Sequence, residues 1–170
     1  MKTNGGFLVT KIKQLGDRIF EKILSEKNID AFNGAQGRIL YVLWQEDGIS
    51  IRSLSVKCGL AITSLTTMLE KMENQGLIRR VQSETDKRKT LLFLTEKAHS
   101  LKGEYDSVSD EMGSIYYKGF SEEEIAQFEE CLDRAGKWQN LRNCPDRRRV
   151  IIRQIQETDF QHSLDRQTVF

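Results

Sequence analysis

Seven residues, SETDKRK from Ser83 to Lys89, set three consecutive cations, Lys87, Arg88 and Lys89, on a short polar segment ahead of the apolar run TLLFLT. Upstream, ITSLTTMLEKMENQG places Thr63, Ser64, Thr66 and Thr67 in the first half of a helical pattern, with Lys71 a turn later, and Arg79 and Arg80 follow the glycine that ends it. These side chains suit contact with a polyanion. Hydroxyls bond base edges or phosphates while threonine methyl groups touch thymine. A flexible arginine suits a narrow, electronegative minor groove, and strand arginines suit phosphates. The competing reading of the hydroxylated face alone is a solvated helix surface.

Catalytic and metal chemistry have little support. The chain has no glycine-rich phosphate loop, no His-paired nucleophile and no marked carboxylate pair, so it is not expected to be an enzyme. Two histidines, His99 and His162, and three dispersed cysteines, Cys58, Cys131 and Cys144, form no CxxC or other ligand spacing, so no metal or cofactor is expected. No apolar run approaches a membrane span, and MKTNGGFLVTKIK carries only a three-residue apolar patch before basic residues return. The expectation is a cytoplasmic protein with no membrane partner.

The formal charge of +1 is a cancellation: residues 1–32 carry +2, 33–95 carry +3, 96–134 carry −7 and 135–170 carry +3. A basic middle beside an acidic segment suits a polyanion at the middle.

The elements that position these residues are mostly helical. Leu8, Ile12, Leu15, Ile19 and Ile23, widened by Phe20 and Leu24, predict a long amphipathic first helix. Asn33 with Gln36 forms a capping box for a second helix through Ile39, Leu40, Leu43 and Trp44, with Gly48 closing it. Ser50 caps a third helix containing Leu54 and Cys58, ended by Gly59. The fourth helix buries Leu65, Leu69 and Met72, turns Thr63, Thr67, Glu70 and Asn74 outward, and stops at Gly76. LIRRVQ and TLLFLT then read as the strands of a hairpin. Thr95 caps a fifth helix running through Ala98, Leu101, Tyr105, Val108 and Met112 to Ile115 or Tyr116. Ser121 with Glu124 opens a sixth through Ile125, Phe128, Cys131, Leu132 and Ala135. Cys58 and Cys131 both fall at apolar positions, where burial is expected.

Two short helices joined at a glycine, the second exposing small hydroxyls, followed by a hairpin with a basic tip, is the layout of a winged helix-turn-helix. The fold class is mainly α with a small β-hairpin wing: a winged helix-turn-helix domain plus a helical dimerisation domain. From NGAQGRILYVLW to DKRKTLLFLT the chain resembles the MarR family of transcriptional regulators. The family's wing motif, Asp-x-Arg, five residues, then Leu-Thr, falls on Asp86, Arg88, Leu94 and Thr95.

The resemblance implies a homodimer, with residues 1–32 as an N-terminal dimerisation helix, 33–95 as the DNA-binding domain and 96–134 as C-terminal dimerisation helices. Residues 135–170 depart from the family as a basic extension of unassigned role. Within them Trp138 and Leu141 could prolong the last helix up to Pro145, and RRRVIIRQIQ could form a short basic helix.

The resemblance also implies a double-stranded DNA operator, read by a recognition helix at 62–75 and a wing at 83–89, in which Arg88 enters the minor groove and Asp86 orients it. Many members carry a serine near the cap of that helix. Here the stretch reads Leu60, Ala61, Ile62, Thr63, so Thr63 is either a cap or a contact. Members commonly release DNA on binding a small phenolic or aromatic effector, for which Phe20, Tyr41 and Trp44 are candidate lining residues, or on cysteine oxidation. A winged-helix module that binds protein, not DNA, and a thiol-sensing member are the alternatives. The DKRK tip counts against the first, and the lack of a cysteine in the first helix counts against the second.

Overall fold

The computed structural model describes residues 3–142, and the suggested basic helix at RRRVIIRQIQ lies outside them. Asn33 begins the local logic of the winged domain. Its side chain accepts from the Gln36 backbone N–H while the Gln36 side chain accepts from the Asn33 N–H, so the capping box starts α2 at Gly34–Gln45. Ser50 caps α3, Ile51–Cys58, through the Ser53 N–H, and Gly59 ends it in the left-handed region at φ 64°. The turn leads into α4, Ile62–Asn74, which Gly76 closes at φ 69°.

The sheet has three strands. β2, Ile78–Gln82, and β3, Thr90–Leu94, form the expected antiparallel hairpin, with Ile78 opposite Leu94 and Gln82 opposite Thr90. A two-residue strand, β1 at Ile49–Ser50, adds to the other edge of β3 and gives the order β1-β3-β2. Gly48 therefore does not close α2, which ends as Glu46 turns extended. At φ 70° Gly48 leads the chain into β1, with its N–H bonded to the Leu92 carbonyl and the Phe93 ring where a Cβ would stand.

The first helix, α1 at Gly5–Glu26, packs only by its second half. Ile23 and Leu24 are buried and Ile19 and Phe20 half-buried, whereas Leu8, Ile12 and Leu15 stay at least 40% exposed. The expected fifth helix is interrupted at Leu101 into α5, Glu96–Ser100, and α6, Lys102–Tyr116. The Ser100 hydroxyl donates to the Lys97 carbonyl there, competing with the helical ladder. Ile39, Leu40, Leu43, Leu54, Leu65, Leu69 and Leu92, none more than 1% exposed, form the centre of a core that extends to Val108 and Met112 on α6.

Residues to Lys118 form one compact unit and those from Gly119 a second. In the second, Ser121 and Glu124 exchange both capping-box bonds to start α7, Glu122–Arg142, so the helix does continue past Ala135. Cys131 is exposed on α7, contrary to the expected burial, and Leu132 beside it on the same stripe is 41% exposed. No described helix is long and apolar enough to cross a membrane.

Thr95 ties these pieces together: its hydroxyl accepts from the Ala98 N–H, capping α5, and donates to the Gly76 carbonyl at 2.7 Å. Thr95→Ala removes a cap and a bond to the end of α4, and should cost about 1–2 kcal/mol of stability. Urea unfolding measures it, and an unchanged midpoint would contradict this role.

Candidate nucleic-acid interface

The expected helix face is present on α4. Thr63, Ser64, Thr67 and Lys71 are exposed, with Leu65, Leu69 and Met72 fully buried behind them. Thr63 is not the cap, because α4 starts at Ile62 after Ala61, which offers no side-chain bond. Thr66 is half-buried, and its hydroxyl donates to the Ile62 carbonyl at 2.8 Å, so its donor is spent within the helix.

The two strand arginines part company because successive side chains leave opposite faces of a strand. Arg79 is exposed and stacks its guanidinium 4.8 Å from the centre of the Phe93 ring, its partner across the hairpin. Arg80 faces back toward α4, where its Nε lies 3.2 Å from Glu73 Oε2. The ion pair links β2 to α4, and the charge of Arg80 is partly spoken for.

The tip at 83–89 is a folded turn. Ser83, buried at the base, receives the Asp86 N–H on its Oγ and donates its own N–H to the Lys89 carbonyl. The Lys89 N–H closes onto the Asp86 carbonyl. Asp86 Oδ1 then accepts twice from Arg88, from the backbone N–H at 3.1 Å and from Nε at 3.2 Å, while Lys89 Nζ lies 3.6 Å from the other oxygen. An exposed pair of this kind adds little stability. Its effect is directional: Arg88 is 92% exposed, held at its root with the rest of the guanidinium projecting. Lys87 and Lys89 are exposed beside it.

Behind the interface lies a cleft of about 590 Å³ among α1, α2, α4 and α6. Phe20, Tyr105 and Tyr116 give it aromatic walls, and Met68 reaches it from α4. Lys13 and Arg38 line it too, and both pair with Asp17, Arg38 Nη2 at 3.9 Å. Of the three aromatics read from sequence, only Phe20 lines this cleft. Tyr41 and Trp44 do not. They pack on Tyr105, with ring centres 6.0 and 5.1 Å away, and the Trp44 indole N–H is bonded to the Ala98 carbonyl. Tyr105, Tyr116, Lys13 and Arg38 were missed because they meet only when α1, α2 and α6 pack; a lone tyrosine within α6's stripe carries no such signal.

Cys58 is buried with its thiol against the Arg38 carbonyl, and burial pushes its pKa up despite the opposing Arg38 charge. A protonated, covered thiol is a poor nucleophile. Among the described residues, no group of His, Cys, Asp and Glu is arranged to hold a metal ion.

The bond from the Arg88 N–H, then that from its guanidinium, lowers the Asp86 pKa below the usual aspartate value. A depressed pKa means that the charged brace is in place above the ordinary aspartate range of about 3.9 and is lost as pH falls through the lower folded value. A carboxyl NMR titration should therefore give Asp86 a midpoint below the usual range. Arg88→Ala, which keeps the backbone N–H, should restore only part of the difference. A wild-type midpoint at or above the usual value would contradict the brace.

The sequence profile of the MarR family matches residues 32–90. The HTH-type transcriptional regulator TtmR of Methylorubrum extorquens (strain PA1) is 34% identical over 77 residues, which is 45% of this chain and 40% of TtmR. The aligned stretch thus spans less than half of that relative. A mutant MarR from E. coli complexed with operator DNA superposes with a TM-score of 0.68 at 24% identity, covering 76% of this chain and 91% of that one. CouR from Rhodococcus jostii RHA1, bound to p-coumaroyl-CoA, gives 0.67 at 19% identity, covering 77% and 90%. At these identities the two structures share this chain's fold. Over residues 32–90, which hold its winged helix-turn-helix, this chain is similar to the MarR family.

Proposed function

We propose that this chain is a homodimeric, sequence-specific DNA-binding transcriptional regulator of the cytoplasm, acting as a repressor. It reads a pseudo-palindromic operator with the helix at 62–75 in the major groove and the wing at 83–89 in the minor groove. The observation that carries the reading is the braced Arg88: a projecting cation with a fixed root, at the tip of a hairpin joined through Thr95 and Arg80 to a helix with exposed small hydroxyls. Minor grooves attract such a side chain by their negative potential, and the fixed root lowers the entropy lost on insertion.

Dimerisation is supported by apolar surface that the single chain leaves uncovered: Phe7, Leu8, Val9, Ile12 and Leu15 on α1, and Ile115 on α6. In the dimer the first helix, the α5–α6 segment and α7 of two chains interdigitate, and two-fold symmetry sets the recognition helices about one DNA turn apart. The effector is a small aromatic or phenolic molecule in the cleft, whose volume is in the range of small-molecule pockets. CouR, which has the same fold, is bound to p-coumaroyl-CoA. Met68 gives a ligand there direct contact with the recognition helix.

Selection of bound duplexes from a random pool tests the reading, followed by displacement with a panel of phenolics. Binding should weaken steeply with salt, and Arg88→Ala should cost about 1–3 kcal/mol on the selected operator. Equal affinity of the two proteins would sink the wing assignment. If no duplex is enriched at low salt, the winged domain binds protein instead.

A further inference from the structure

Ile62 is the first residue of α4 and 51% exposed, a large aliphatic side chain at the leading end of a helix whose other apolar residues turn inward. Its neighbours Ala61, Thr63 and Ser64 are small and exposed, so nothing bulky shields it from a surface approaching that end. One turn on, at the i+4 position that shares its side of the helix, Thr66 has its hydroxyl bonded to the Ile62 carbonyl at 2.8 Å. Thr66 therefore has no proton left for the acceptors of the major groove, N7 and O6 of guanine, N7 of adenine or O4 of thymine. Its methyl group remains. The two residues share one side of the helix, at the leading end of an otherwise polar exposed face.

We infer that Ile62, with the Thr66 methyl beside it, reads the C5-methyl group of a thymine in the major groove. The inference rests on the duplex-binding reading above and adds a specificity-determining residue to it. The N-terminal residues of a recognition helix are those that reach base edges, and the thymine methyl is the one apolar group that base pairs present there. Thr66 serves as an apolar partner in this arrangement, not as a hydrogen-bond donor to a base.

Deoxyuridine tests this cleanly, since it differs from thymidine only by the missing methyl and pairs identically. On a selected operator, each thymine of a half-site is replaced in turn by deoxyuridine, and affinities are measured for wild type, Ile62→Ala and Ile62→Val. At one or two positions the wild type should bind the uracil duplex roughly fourfold more weakly, the effect of removing one buried methyl-sized group. Ile62→Ala should bind both duplexes equally at those positions, with Ile62→Val in between. Thermal melting checks that Ile62→Ala is folded, and Ile62→Val keeps the test decisive if it is not. The inference is overturned if no half-site thymine matters, if the selected half-site contains none, or if Ile62→Ala still discriminates. Wild type that binds no duplex at all overturns the DNA-binding reading with it, whereas tight binding indifferent to the methyl overturns this inference alone.

Discussion

The hydroxyl of Thr95 is where three parts of the winged domain are joined. It ends β3, caps α5 through the Ala98 N–H, and donates to the Gly76 carbonyl just past the recognition helix. Lys97 adds a bond to the Gln75 carbonyl at 2.9 Å, and the buried Gln36 reaches the Gln75 side chain at 2.6 Å. The C-terminus of a helix presents unpaired carbonyls and negative partial charge; the Lys97 ammonium answers both, and Thr95 takes up a second carbonyl. Helix, wing and the start of the helix leading to α6 are thereby held in a fixed relation, a precondition for two elements to meet two grooves of one duplex.

On that frame the chain spends its polar groups unequally. Arg80 and Glu73 pair between β2 and α4, and Thr66 bonds its own helix; both are used internally. Arg88, Lys87 and the hydroxyls of Ser64 and Thr67 face outward. Asp86 contributes little to folding energy through a pair whose cation is in solvent, yet it fixes the root of Arg88, which is 92% exposed. A few short contacts thus separate side chains used within the fold from those that face outward. The cleft lies on the other side of α4, where Met68 contributes to its wall and Leu65 and Leu69 to the adjoining core. Movement there would be felt by the helix directly.

Much of this was legible because caps and glycines are local signals. Asn33 with Gln36, Ser50, Thr95, and Ser121 with Glu124 each begin a helix where their side chains say so, and Gly59 and Gly76 end two in the left-handed region. The wing motif also carried its geometry, since an Asp two residues before an Arg can reach both its N–H and its guanidinium. What escaped depends on the rest of the fold. A two-residue strand at Ile49–Ser50 exists only because β3 offers an edge, and Tyr41 and Trp44 look like cleft aromatics until Tyr105 gathers them. Cys131 sits on an apolar stripe of α7 that stays exposed among the described residues, which periodicity alone does not reveal. Lys13, Asp17 and Arg38 come together from two helices that no periodicity relates.

The central claim is that Asp86 acts on DNA through Arg88. A double-mutant cycle of Asp86→Asn and Arg88→Ala, read as affinity for a selected operator, tests it most directly. The account predicts strong non-additivity: once Arg88 is gone, changing Asp86 should have almost no further effect on affinity. Losses that simply add would contradict it, because Asp86 would then be acting on the duplex or on the fold independently of the arginine it is said to brace.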